Sequence, residues 1–187
     1  DPPNWEAEAN SKTFQVVKGE DSSKYFRSMG IFLEKYFTES GISDLLSVNA
    51  NSPAENSARA EEILSRALSE AEKIQVPDKF SGFHGSLIKL LVYEKNALAL
   101  GKEVETDPLK TALVLQSQEQ NYNAAIEEYG NQLQKAQLLI TKTRGDENRL
   151  ISFIGGLVGL KTARAQWIVA DPGVIAILSA KTVQDTA

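Results

Sequence analysis

Between Asp107 and about Lys142 the chain repeats inward-type positions at alternating spacings of three and four. Ala112, Leu115, Glu119, Tyr122, Ile126, Tyr129, Leu133, Ala136 and Ile140 fall on one stripe. That period belongs to a long helix packed against other helices, as in a left-handed bundle. A helix of this kind cannot bury its stripe alone, so the rest of the chain has to supply partner helices. Asp107 is placed to cap it. Pro108 takes the first helical position, where a missing N–H costs nothing. Gly130 interrupts the stripe and softens it, at roughly 1 kcal/mol relative to alanine.

Three further stretches carry helical periodicity. From Ser23 to Glu39, Tyr25, Met29, Phe32 and Tyr36 form one stripe and Phe26, Leu33 and Phe37 another. Asp21 or Ser22 precedes it as a cap, and Gly41 follows as a stop. Ile42 to Val48 adds a short turn. Ser52-Pro53-x-Glu55 is a capping box that opens a second helix, expected to reach Ile74. Its seam of Ala60, Ile63, Ala67, Ala71 and Ile74 is alanine-rich, so a neighbour can approach closely. After the break at Val76-Pro77 a third helix runs to Gly101. Its apolar residues cover so much of its circumference that it is expected to be central. About five residues join it to the last helix, which predicts an antiparallel helical hairpin.

The fold class is therefore read as all-α: an antiparallel four-helix bundle of residues 23–142. Residues 1–22 are read as a polar arm anchored by Trp5, with Phe14 to Val17 extended. Residues 143–187 form an apolar appendage containing Gly155, Gly156 and Gly159. In it Asp171-Pro172-Gly173 lies between two β-branched runs, a hairpin signal. The same Asp-Pro also suits a terminal helix start. Its longest apolar run, Leu150 to Leu160, is eleven residues, against roughly 20 for a membrane-spanning helix.

Composition removes most chemistry. With no cysteine and one histidine in 187 residues, thiolate sites and every site needing two imidazoles are excluded. His84 follows Ser81 at the third position, so the Glu-x-x-His of a di-iron bundle is missing. The glycine cluster at 155–159 lacks the Lys-Ser/Thr of a phosphate loop, and no Gly-x-Ser-x-Gly occurs. A net charge of −5, with Lys102, Lys110, Lys135, Lys142 and Arg144 dispersed, argues against nucleic acid. No catalytic residue, cofactor or metal is assigned.

Two sets of residues stand out. His84, Tyr122, Glu119 and Glu94 lie at seam positions of the third and fourth helices. If these pair about residue 104, His84 falls opposite residues near 124 and meets Tyr122. A buried lone carboxylate is costly, so Glu94 and Glu119 either meet solvent or join His84 in a polar ligand pocket. The second set is Phe153, Ile154, Leu157, Trp167, Ile168 and Val174. These either close the bundle or form a protein-binding or membrane-proximal patch.

Val76-Pro77-Asp78-Lys79-Phe80-x-x-Phe83-His84-x-x-Leu87, followed by Asp107-Pro108-Leu109-Lys110-x-Ala112-Leu113, resembles uncharacterised helical proteins of candidate-phyla bacteria. The Phe14–Val17 strand before the Tyr25 region is similar in kind. The resemblance covers residues 14 to 142. It implies a secreted or membrane-anchored chain, sometimes accompanying pilus or secretion components, with no activity to carry over. A start at Asp1 agrees with a leader or anchor removed upstream. The expected function is a non-catalytic, extracytoplasmic structural or interaction module that engages a protein partner or further copies of itself. The alternative is a bundle that binds a small ligand near His84.

Overall fold

The computed structural model describes residues 3–19, 22–45, 53–104 and 106–141. These are mostly helical. The elements are α1 (Trp5–Ser11), β1 (Val16–Val17), α2 (Ser22–Leu33), α3 (Ile42–Leu45), α4 (Pro53–Ala71), β2 (Val76–Pro77), α5 (Ser81–Gly101) and α6 (Pro108–Thr141). The appendage at 143–187, with its interaction candidates and its choice between helix and hairpin, lies outside the described residues. So does the Ser52 cap.

Local chemistry sets the boundaries. Asn4 caps α1 by accepting the Ala7 N–H at 2.9 Å, and Asp107 caps α6 by accepting the Lys110 N–H at 3.0 Å. The end of α2 widens into one turn of π-helix, Glu34–Thr38. Gly41 follows at φ +67°, a left-handed stop that costs glycine little. α4 ends at Ala71, before the expected Ile74, because Lys73 and Ile74 donate three residues back to Glu70 and Ala71.

α5 is central, as its wide apolar circumference requires. It packs on α4, α6 and α1 and buries Phe83, Leu87, Ile88, Leu91, Val92, Tyr93 and Leu98. The face of α4 toward it is small: Ala60, Ala67 and Ala71 are fully buried, with Ser57 on the same stripe. Between α5 and α6, Gly82 lies against Gln132, the Phe83 ring against Tyr129, Lys89 bonds Glu128, and Tyr93 stacks on Tyr122. Rising positions on α5 thus meet falling positions on α6, pivoting near Asp107.

Two expectations about α6 change. The pivot lies beyond residue 104 because the turn after Gly101 closes through bonds from Glu103, Thr106 and Asp107 back to Leu100 and Glu103. The inward stripe also begins one residue earlier on alternate turns, with Thr111, Gln118 and Ala125 buried ahead of Tyr129 and Leu133. Glu119 is thereby exposed. Burying it would strand a carboxylate, whereas Gln118 needs only an acceptor and finds the Pro3 carbonyl at 3.1 Å.

Within the expected arm at residues 1–22, α1 contributes to the core. Trp5 is 3% exposed, and Ala9 is buried beside it. The extended segment at Phe14–Val17 supplies β1, which pairs in parallel with Val76–Pro77. Those two residues, read as a helix break, are therefore also a strand.

The alanine face of α4 yields a test. Ala67→Leu has no room beside α5 and is expected to lower unfolding free energy by ~1–3 kcal/mol in urea titrations followed by circular dichroism. An unchanged midpoint would show a looser α4–α5 seam.

Candidate functional site

His84 sits in the first turns of α5 with 0% exposure. Its Nε2 lies 2.9 Å from the Ala71 carbonyl and its Nδ1 3.3 Å from the Tyr25 hydroxyl. A carbonyl only accepts, so Nε2–H donates to it and Nδ1 accepts from Tyr25. Ala71 is the last residue of α4, and its carbonyl, which already accepts the Ile74 N–H at 3.1 Å, takes the imidazole as a second donor. Phe14 meets the imidazole edge-on at 5.0 Å between ring centres, and Tyr25 does so at 5.8 Å. The ring therefore joins α2, α4, α5 and the segment before β1. Burial lowers its pKa from 6.5 to about 4, partly opposed by the bond to Ala71. His84 is neutral at physiological pH. The same burial holds the Tyr25 hydroxyl well above its usual range.

The four pocket candidates do not converge. Tyr122 donates to Glu94, not to His84, because the pivot near Asp107 carries it past the histidine. Glu119 stands on the outer face of α6. Glu94 and Tyr122 instead belong to a second polar cluster, where α1 crosses α5 and α6. There the Tyr93 hydroxyl donates to Glu6 at 2.7 Å, and Lys89 bridges Glu6 at 3.1 Å and Glu128 at 3.3 Å. Glu8 receives Lys95 at 2.5 Å and Asn96 at 2.7 Å. Trp5 meets the Tyr93 ring edge-on. Tyr93 is the largest influence holding the Glu6 carboxyl below its usual range, and Lys89 assists. For Glu8 burial pushes upward, but Lys95 and Asn96 prevail and the pKa is lowered.

Sequence reasoning singled out His84 but missed its partners, Tyr25 and the Ala71 carbonyl. It also missed Glu6 and Glu8. Both lie on the first helical turn of α1, and their partners on α5 are more than eighty residues away. A third feature, likewise unforeseen, is a groove of about 580 Å³ between α2 and the end of α4, carrying Lys24, Lys35, Glu70 and Lys73. Lys35 bonds both Glu70 oxygens at 2.9 Å and lies over the Tyr36 ring.

No protein-family model, curated protein or solved structure matches this chain.

Two outcomes follow from the polar contacts. The folded-state pKa of His84 lies below its unfolded value. Stability is therefore full above pH 6.5 and falls as pH drops toward about 4, by ~3 kcal/mol in all. Glu6, Glu8 and Glu70 contribute losses only below their ordinary value of 4.5. Denaturant midpoints between those limits should slope for the native chain and stay flat for His84→Gln. Equal slopes would place the proton elsewhere. Tyr93→Phe is expected to cost ~1–2 kcal/mol by removing a hydrogen bond to a charged acceptor, read in the same titrations. A value near zero would mean that water replaces the hydroxyl.

Proposed function

We propose that the chain is a non-catalytic structural or protein-interaction module, acting outside the cytoplasm. It is built on an antiparallel bundle of α2, α4, α5 and α6, and residues 143–187 engage the partner or further copies of the chain. The observation that carries this reading is the use made of His84. Both ring nitrogens are bonded within the protein and aromatic rings cover its flanks. The one imidazole of the chain thereby acts as a tie between helices.

The cluster around Glu6 and Glu8 supports the same reading, since its carboxylates meet lysine, tyrosine and asparagine on neighbouring helices. The ligand-pocket alternative needed His84, Tyr122, Glu94 and Glu119 together, and their separation removes its support. The absence of cysteine suits an oxidising exterior, and the resemblance in the Val76–Leu87 region points the same way. Among the described residues no helix is long and apolar enough to cross a membrane.

Deleting residues 150–187 tests the assignment. The full chain is expected to assemble in sedimentation, and the shortened chain to lose that assembly while keeping its helical circular dichroism and cooperative melting. A shortened chain that unfolds would make those residues part of the core. One that assembles as before would move the interaction surface onto the helices.

A further inference from the structure

The chain carries a net charge of −5, yet the groove between α2 and the end of α4 is locally cationic. Three lysines, Lys24, Lys35 and Lys73, surround one carboxylate, Glu70. Lys35 is held by Glu70, whereas Lys24 and Lys73 belong to no ion pair among the described residues. Lys24 donates instead to the Gln75 side-chain carbonyl at 3.1 Å, and Gln75 in turn donates to Gln15 at 3.2 Å. Between these polar groups the surface is apolar. Phe32 and Ile74 line it, and Ile31 is 62% exposed. An isoleucine left that open at the edge of a concave surface is available for contact.

We propose that this groove docks an extended acidic segment of a partner protein. One of its apolar side chains would lie on Ile31 and Phe32, and its carboxylates would meet Lys24 and Lys73. The inference rests on the reading of the chain as an interaction module, and adds where a partner binds and what chemistry it presents. Charge complementarity selects an acidic occupant. The amides of Gln15 and Gln75 supply both donors and acceptors, matching a peptide backbone. A nucleic-acid backbone carries a charge at every nucleotide, and Lys24 and Lys73 would neutralise only a short stretch of it. An acyl chain needs apolar walls around its length, and here the apolar surface is a few side chains on an open face.

The probe is a fluorescent peptide alternating aspartate and leucine, titrated into the full chain by polarisation. A lysine–leucine peptide, a single-stranded oligonucleotide and oleate serve as competitors. The acidic peptide is expected to bind with salt-sensitive affinity. The double variant Lys24→Glu/Lys73→Glu, both positions exposed, should weaken it roughly tenfold or more with unchanged circular dichroism. Equal binding by the double variant would overturn the proposal, as would displacement of the probe by oligonucleotide or oleate ahead of unlabelled acidic peptide. Sedimentation of the full chain separates this from failure of the module reading. If the chain assembles through residues 150–187 but its groove shows no acidic preference, the groove assignment alone falls.

Discussion

A neutral imidazole holds the architecture together at the end of α4. Helix ends expose carbonyls that water ordinarily satisfies. Here the Ala71 carbonyl at the end of α4 already accepts the Ile74 N–H, and its remaining lone pair faces the buried side chain of His84. His84 supplies the donor and at the same time offers its other nitrogen to Tyr25. One side chain thus ties two neighbouring elements, and burial keeps its ring neutral. The β1–β2 pair is two residues long on each strand, far too short to stand alone. Phe14, two residues before β1, packs on that ring and anchors the strand.

At the other end of the interior the solution is different. α1 is only seven residues long, and an isolated helix of that length does not form in water. Its two apolar anchors, Trp5 and Ala9, are supplemented by Glu6 and Glu8, whose partners lie partly shielded on α5. Fully exposed ion pairs add little to stability. These carboxylates gain more, because each meets several donors in a partly dehydrated setting. Charge on α1 therefore places a helix that hydrophobic burial alone would leave loosely held.

The sequence declares what is local. Asp107-Pro108, Gly41 and the recurrence of apolar residues at three and four mark helix boundaries and faces, and each reappears in the structure. His84 is recognisable as a packed histidine because its surroundings on α5 are aromatic and aliphatic. Its partners are not recognisable, since Tyr25 is 59 residues away and a backbone carbonyl leaves no signature in sequence. The stripe of α6 was displaced by one residue on alternate turns because glutamine and glutamate stand side by side at 118 and 119, and only the three-dimensional acceptor at Pro3 chooses between them. α1 looked like an arm because it is polar and short. The cationic groove was invisible because Lys24, Lys35 and Lys73 are scattered along the chain and meet only when α2 lies on α4.

The placement of α1 has a consequence for how the chain acquires its shape. The groups that hold it, Lys89, Tyr93, Lys95, Asn96 and Gln118, all lie far downstream. Closing such loops carries an entropic cost that local contacts avoid. During synthesis from the N-terminus, the first helix has nothing to dock on until most of α5 and part of α6 have emerged. The topology therefore favours early pairing of α4 with α5, which are close in sequence, over docking of α1.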